Sequence, residues 1–202
     1  MSWKDYFIAF DTETTGFGPT ARILELAIVE VVGGEVVHEW SSFFNPTDVD
    51  WSDQRVQDAL KINHLTPEML SGAPRFEDVA KDVWSEFNKA DVWVAHNIDF
   101  DVRMIKQEFT RASLSIPEVK VHACTQCIDF KTDQKSRGWK LSDLAERYQV
   151  PQQQPAHRAL ADAKTAGMLF AKQLDRLPED VSEMSKFAEQ SLVHWRRNRK
   201  AK

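Results

Sequence analysis

The chain has 202 residues, of which 42% are hydrophobic and 28% charged, and its formal net charge at pH 7 is −5. These values are typical of a soluble globular protein with one complete hydrophobic core, and they exclude bulk disorder, collagen-like structure and a uniformly basic nucleic-acid coat protein. No stretch approaches the ~20 apolar residues of a membrane span, and the start of the chain lacks the apolar run of a signal peptide. We therefore expect a cytoplasmic protein without a membrane partner.

The beginning of the chain predicts strands joined by tight turns. Residues 7–10 form a short apolar run that is typical of a buried strand, and the acidic and glycine positions after it indicate a functional loop. Residues 22–32 and 35–44 are rich in β-branched and aromatic side chains, and the two glycines between them tolerate the positive φ of a hairpin turn. We expect a three-stranded antiparallel start, followed by a polar loop over residues 45–57.

The rest of the chain alternates between helical and strand patterns. Four segments carry apolar residues at helical spacing: residues 76–87, 98–109, 141–148 and 159–177. Two short apolar runs predict further strands, residues 92–95 and, at an edge of the sheet, residues 119–123. A meander that leads into strand–helix alternation is typical of an α/β fold with a mixed central sheet flanked by helices. The residues from 178 onward predict a separate helical appendage with a basic end.

Asp11 and Glu13 stand two positions apart in the string Asp-Thr-Glu-Thr-Thr-Gly. In an extended segment this spacing points both side chains to one side, so the two carboxylates lie close together. One of them would take up a proton unless a cation balanced the pair, and a hard divalent ion such as Mg²⁺ is the natural occupant. An acidic surface turn is the alternative interpretation of a bare Asp-x-Glu.

A second acidic site contains two competing aspartates. At ~100° per residue, the apolar residues from Ile98 to Phe109 define an inward stripe, and Asp101 falls about 60° from its centre whereas Asp99 falls about 100° away. We therefore predict that Asp101 is the functional residue. Asp99 shares a face with Arg103 and Lys106, where pairing along the helix and solvent explain it without any chemistry.

His157 and Asp162 occur together at the start of the last long predicted helix of the α/β region. Taken singly, the histidine is explained as a surface or capping residue and the aspartate as a partner of the helix dipole. Together with Asp11, Glu13 and Asp101 they make a set of four carboxylates and one imidazole, each just past a strand or at the beginning of a helix. Residues in such positions are expected to converge at one end of the sheet.

Cys124 and Cys127 are the two cysteines of the chain. One pair cannot staple a fold of this size, and no second Cys or Cys/His pair completes a zinc site. We interpret both as packing residues, with a redox pair as the alternative.

Three motifs in order resemble those of a known family. Residues 10–16 read Phe-Asp-Thr-Glu-Thr-Thr-Gly, residues 96–101 read His-Asn-x-x-Phe-Asp, and residues 157–163 read His-Arg-Ala-x-x-Asp-Ala. Over residues 6–177 the chain is similar to the DEDDh-type 3'-5' exonucleases, the family that includes the proofreading epsilon subunit of bacterial DNA polymerase III. Where that family often shows His-Gly-Ile or Asn-Gly-Ile, this chain has Asn-His-Leu at residues 63–65, a departure at one wall of the substrate site.

The resemblance implies a ribonuclease H-like fold that binds two Mg²⁺ ions, for which Mn²⁺ can substitute. Asp11, Glu13 and Asp162 would hold one ion, Asp11 would reach the second, and Asp101 would support the second directly or through water. His157 would be the general base, because an imidazole with a pKa of about 6.5 can accept a proton from the attacking water near neutral pH.

The same resemblance implies five substrate-binding residues. Thr14 and Thr15 would lie near the terminal sugar, Leu65 and Phe100 would lie against the last base, and Asn97 would be the fifth residue of the set. For Leu65 and Phe100, ordinary core packing is the alternative. The implied domain organisation is an exonuclease domain over residues 1–177 and a C-terminal helical appendage with a basic tail over residues 178–202.

The implied activity is removal of nucleoside 5'-monophosphates from single-stranded or frayed 3' ends of DNA, in proofreading or repair, either free-standing or with a polymerase partner. The motifs do not read the 2'-hydroxyl, so action on RNA ends is a second hypothesis. A non-catalytic nucleic-acid-binding scaffold is a third, which the loss of a catalytic residue would favour. All five catalytic positions are filled with the expected residue types.

The tail over residues 194–202 carries five basic side chains and no acidic one. One interpretation is a solvated chain end. The other is a segment that holds the nucleic-acid backbone, because an acidic pocket repels a polyanion and attraction must come from outside it.

Overall fold

The computed structural model describes residues 2–133, 140–153 and 158–200, without the side chains of residues 133 and 198–200. In this part of the chain, five strands form one sheet in the order β3-β2-β1-β4-β5. The strands are β1 (Tyr6–Thr14), β2 (Ile23–Val32), β3 (Glu35–Phe43), β4 (Val92–Ala95) and β5 (Val121–Cys124). The helices are α1 (Gln54–Asn63), α2 (Pro67–Leu70), α3 (Phe76–Phe87), α4 (Ile98–Arg111), α5 (Thr125–Asp133), α6 (Leu141–Arg147), α7 (Ala159–Gln173) and α8 (Val181–Lys200).

The first three strands form the predicted antiparallel meander. Gly33 and Gly34 adopt φ values of 58° and 89° at the turn between β2 and β3, which confirms the predicted hairpin. The first strand is longer than predicted, because β1 continues to Thr14 and therefore contains Asp11 and Glu13. These polar residues pair with β2 as regularly as the apolar ones before them, and a search for apolar runs cannot detect that pairing.

The fourth and fifth strands make the sheet mixed, as predicted, because β4 pairs with β1 in parallel and β5 pairs with β4 in parallel. The carboxyl ends of β1 and β4 therefore meet at the same edge of the sheet. Asp11 and Glu13 lie in the second half of β1, and α4 with Asp101 begins three residues after β4. This topology brings the two acidic motifs together.

Helices cover both faces of the sheet. On one face α3 and α4 pack against Phe10 and Trp93. On the other face α7 approaches the strands so closely that a Cβ atom at Gly167 would lie 3.1 Å from side-chain atoms of Ala9 and Val31. Most real Cβ contacts are longer than this, so a side chain at Gly167 would require Ala9 or Val31 to shift by a few tenths of an ångström, and the glycine allows α7 to lie close to β1.

The sequence patterns do not predict α1, α2 or α5, and the predicted loop over residues 45–57 is wrong from Gln54 onward, where α1 begins. The last helix, α8, packs against the α/β core through Met184, Ala188 and Trp195, which are all buried. Within the described part of the chain, none of the helices has both the length and the hydropathy that a membrane span requires.

Candidate active site

Three carboxylates from two elements converge beside β1. Asp11 and Glu13 come from the strand, and Asp162 comes from the first turn of α7. One carboxylate oxygen from each lies within 4.8 Å of the other two. We call these three residues the acidic cluster. The alternation of side chains along β1 and the close packing of α7 at Gly167 together produce it.

The acidic cluster is electrostatically unfavourable without a cation. Burial, together with the charges of Asp101 and Glu13, raises the pKa of Asp11 well above its ordinary value. Burial and the nearby carboxylates of Asp162 and Glu25 raise the pKa of Glu13 from 4.5 to about 8, although the Arg158 guanidinium acts in the opposite direction. Grouped buried carboxylates with raised pKa values are typical of sites that bind a positive charge.

The residues of the acidic cluster fit a divalent metal ion. Each offers a hard oxygen ligand, the ligand type that Mg²⁺ and Mn²⁺ prefer, and the three oxygens are close enough to share one ion. A second group, Glu30, His38 and Glu86, has similar spacing, but there the Lys89 ammonium lies 2.8 Å from Glu30 and 2.6 Å from Glu86. A lysine therefore already supplies the positive charge at that second group.

Asp101 is oriented by the strand that carries the acidic cluster. It is 3% exposed, and its Oδ1 atom accepts hydrogen bonds from the backbone amide of Thr12 at 3.1 Å and from the Thr12 hydroxyl at 2.7 Å. Burial raises the pKa of Asp101 from 3.8 to about 7, against the lowering effect of these hydrogen bonds. The predicted inward position of Asp101 is confirmed.

Asp99 points away from the acidic cluster and forms an ion pair at the surface. The expected pairing with Arg103 and Lys106 along α4 is wrong, because Asp99 instead accepts two hydrogen bonds from Arg196 of α8, at 2.8 Å and 2.7 Å. Arg196 lies 97 positions from Asp99 in sequence, and helix periodicity cannot predict a pair at that separation.

The hydroxyls of Thr14 and Thr15 shape the loop after β1. The Thr14 hydroxyl donates to the carbonyl of Gly16 at 2.9 Å, and the Thr15 hydroxyl accepts from the amide of Arg22 at 2.9 Å. Arg22 is itself buried and donates to Glu108 through Nε at 2.9 Å. The loop beside the acidic cluster is thus closed and anchored, and a contact between the two threonines and the terminal sugar stays a prediction.

Leu65 lies in a small apolar cluster with Leu24, Leu60 and Leu70, which supports its packing interpretation. The residue before it, His64, adopts the left-handed conformation with φ 54° and ψ 35° at the end of α1. Glycine most often occupies such a position, and the chain thus follows a glycine-like path with a histidine.

Asn97 and Phe100 lie at the start of α4, Asn97 as its N-cap residue and Phe100 in its first turn. Asn97 is exposed in a left-handed conformation with φ 69°, and its carbonyl accepts from the Phe100 amide at 2.9 Å. The partly exposed ring of Phe100 contacts the ring of Phe17 edge-on, with 5.4 Å between centroids. Phe17 is 87% exposed. Sequence reasoning missed Phe17, and an aromatic residue within a glycine-rich loop is the signal that could have found it.

His157 lies outside the described residues, so its role stays a prediction. Arg158, which follows it, forms an ion pair with Glu25 that sequence reasoning also missed, since 133 positions separate the partners. Cys124 and Cys127 are both buried in the core, as the packing interpretation predicts.

Comparisons with known proteins agree with this geometry. A family model described as exonuclease, RNase_T, matches residues 8–170. The chain is 32% identical over 178 residues to the DNA polymerase III PolC-type of Oceanobacillus iheyensis, with 88% of this chain and 12% of that protein covered. It is 29% identical over 184 residues to the 3'-5' exonuclease DinG of Bacillus subtilis, with 86% and 18% covered. The chain therefore spans less than a fifth of the length of these curated relatives.

Among solved structures, Exonuclease X in complex with 5' overhanging duplex DNA aligns with a TM-score of 0.68 at 25% identity, covering 90% of this chain and 98% of that one. The order of strands, the flanking helices and the position of the acidic cluster are those expected of a ribonuclease H-like fold. The family match covers most of the chain and includes every residue of the acidic cluster. This chain therefore belongs to the DEDDh-type 3'-5' exonuclease family.

Proposed function

We propose that this chain removes nucleoside 5'-monophosphates from the 3' ends of DNA, with two divalent ions, Mg²⁺ or Mn²⁺, held by its carboxylates. The observation that carries the proposal is the convergence of Asp11, Glu13 and Asp162 within 4.8 Å, with Asp101 oriented beside them. An acidic surface turn would leave these groups in water. Glu13 and Asp101 are instead 8% and 3% exposed.

In this proposal each carboxylate has a distinct task. The acidic cluster binds one ion, Asp11 reaches the second, and Asp101 supports the second ion. Because Oδ1 of Asp101 is bonded to Thr12, Oδ2 is the atom proposed to face the second ion. Two ions bound there would stabilise the attacking and leaving oxygens of an in-line displacement at phosphorus.

The proton of the attacking water would pass to an imidazole nitrogen of His157. This assignment rests on the family resemblance and on the place of His157 in sequence, five residues before Asp162. A neutral imidazole is the side chain best suited to accept a proton near pH 7.

The terminal nucleotide would lie between the loop after β1 and the start of α4. Phe100 and Phe17 offer a joined aromatic surface there, and base stacking on such a surface does not depend on sequence. Thr14, Thr15, Asn97 and Leu65 are proposed to line the same site. The bond from the Thr14 hydroxyl to the carbonyl of Gly16 and the packing of Leu65 in a small apolar cluster would hold this wall in place. A site of this kind selects a chain end rather than a base.

DNA is the proposed substrate because two of the similar proteins are named with DNA: one is a DNA polymerase, and the similar structure holds duplex DNA with a 5' overhang. Similarity to one segment of a polymerase also supports a polymerase as the partner of this chain, in the cytoplasm. The polymerase partner and the cytoplasmic location are both proposals, because the chain covers only 12% of the PolC-type polymerase.

The test is digestion of single-stranded DNA, matched duplex, mismatched duplex and RNA, side by side, each labelled at the 5' end and, separately, at the 3' end. With Mg²⁺ we expect a 5'-labelled ladder and a 3'-labelled mononucleotide from DNA, fastest on single strands and mismatched ends. Excess chelator should stop the reaction.

The matched variants are Asp11→Asn and Asp91→Asn. Asp91 lies before β4, at the opposite end of that strand from α4, and pairs with Lys120. Asp91→Asn should digest like the parent, whereas Asp11→Asn should be inactive. Faster digestion of RNA would correct the substrate class, and binding without hydrolysis of any substrate would favour the scaffold hypothesis.

A further inference from the structure

Besides Asp101, one further carboxylate is buried next to the acidic cluster. Glu25 on β2 is the direct cross-strand partner of Glu13 on β1, and it is 4% exposed. Like charges directly opposite each other in an antiparallel pair are destabilising, and a buried carboxylate requires a partner. Glu25 therefore needs a positively charged partner of its own, other than the ion that the acidic cluster would bind.

Arg158 supplies that charge from the side. Its Nε lies 3.0 Å from Oε2 of Glu25 and its Nη2 lies 3.1 Å from Oε1, a two-pronged geometry that fixes both side chains. The guanidinium also lies over the ring of Phe43, 5.1 Å from its centroid. The side chain is therefore held by Glu25 of β2 and by Phe43 of β3.

The backbone of Arg158 begins the helix that carries Asp162. Arg158 is the N-cap residue of α7, with extended backbone angles of φ −132° and ψ 125°. Its carbonyl accepts the amide of Asp162 at 3.1 Å. One residue thus binds β2 through its side chain and the first turn of α7 through its backbone.

We propose that Arg158 and Glu25 form a positioning pair, which holds the first turn of α7 against β2 and keeps Asp162 at the distance from Asp11 and Glu13 that one ion requires. Residues that orient metal ligands from outside typically change metal affinity or activity by 10–100-fold when they are replaced. The inference rests on the proposed function, since it assumes that the acidic cluster binds a metal ion.

The test measures binding of Mn²⁺ alone to the full chain by calorimetry, without nucleic acid, well below the Tm of each variant. Arg158→Met keeps the apolar stem over Phe43 and removes the ion pair. The double variant Arg158→Met/Glu25→Gln removes the pair without leaving a buried charge, so it should be more stable than the single variant and keeps the test valid if the single variant unfolds. Both are expected to bind Mn²⁺ about 10–100-fold more weakly than the parent.

The matched control is Lys164→Met. Lys164 also joins α7 to the sheet, through an ion pair with Glu39 at 2.6 Å, but it does so on the exposed side. This variant should bind Mn²⁺ like the parent, and an equal loss there would overturn the inference.

Two further outcomes separate the inference from the proposed function. Parental affinity in the double variant would show that Arg158 only neutralises Glu25, and would overturn the positioning role alone. A parent protein that binds no Mn²⁺ would overturn the proposed function and, with it, this inference.

Discussion

Asp101 accepts two hydrogen bonds from Thr12, the residue that stands between Asp11 and Glu13 in β1. One strand thus supplies two carboxylates to the acidic cluster and, from the residue between them, orients a fourth acid that comes from a helix. The position of Asp101 therefore depends on β1 as well as on α4.

We expect Thr12→Val to lower the rate by about 10-fold, because valine keeps the volume of threonine and removes the hydroxyl that orients Asp101. Loss of that bond also raises the pKa of Asp101 further, so the acid side of the pH–rate profile should move to higher pH. Thr110→Val, which removes a hydroxyl bonded to Lys106 on the exposed side of α4, is the control. An unchanged profile in Thr12→Val would exclude this role.

Asp101→Asn and Asp99→Asn should differ by orders of magnitude in rate. Asp101 is buried beside the acidic cluster, whereas the ion pair between Asp99 and Arg196 is exposed and contributes less than about 1 kcal/mol to stability. Single-turnover rates on a single-stranded oligonucleotide measure the difference. Equal losses would place Asp99 at the reaction centre.

The metal-free protein should lose stability as pH rises. Glu13 has a folded-state pKa of about 8 against an ordinary value of 4.5, so between these values the folded state binds more protons than the unfolded state. A destabilisation of about 2 kcal/mol would lower the Tm by roughly 4–8 °C for a domain of this size. Thermal unfolding in chelator at about pH 5 and pH 8 measures it.

Glu13→Gln should flatten this pH dependence, whereas Glu35→Gln, at an exposed residue of β3, should not. Added Mg²⁺ should raise the Tm more at the higher pH, because the cation then compensates charges that are present. A metal-free Tm that rises with pH would contradict the arrangement.

His157→Ala should depress the rate most near neutral pH and remove much of the acid limb of the pH–rate profile, while Mn²⁺ binding by calorimetry survives. The reason is that the resemblance assigns proton acceptance, and not metal binding, to this residue. His38→Ala, at an exposed histidine of β3, is the control. A parental profile in His157→Ala would remove the residue from the mechanism.

Removal of residues 197–202 should raise the KM for long single strands and flatten its dependence on salt. The deletion takes away four basic residues and keeps the pair of Arg196 with Asp99, which holds α8 beside α4. Each lost phosphate contact on a single strand reduces the salt slope by up to about 0.7. The rate on a dinucleotide should not change. If the truncated protein shows the same salt dependence of KM on a long strand as the parent, the tail has no role in substrate binding.

Local sequence patterns predict what depends on nearby residues. The hairpin at Gly33, the helix that begins at Phe76 and the inward position of Asp101 follow from turn chemistry and periodicity. The two ion pairs at Arg196 and Arg158 do not follow, because their partners lie about a hundred positions away and no periodicity connects them.

The sequence also does not predict the end of an element whose residues are both buried and polar. β1 extends through Glu13 because β2 pairs with it there, and a carboxylate in a strand interior contradicts the usual apolar pattern. α5 has no clear apolar stripe in its sequence, and it begins directly after Cys124, the last residue of β5.

The left-handed backbone at His64 has a consequence for how relatives of this chain are recognised. Histidine tolerates this conformation better than most residues other than glycine, so the turn survives a change of residue type. A motif search that demands glycine at this place would discard a chain whose backbone follows the required path. At this position the φ of 54°, and not the residue type, is what the turn at the end of α1 requires.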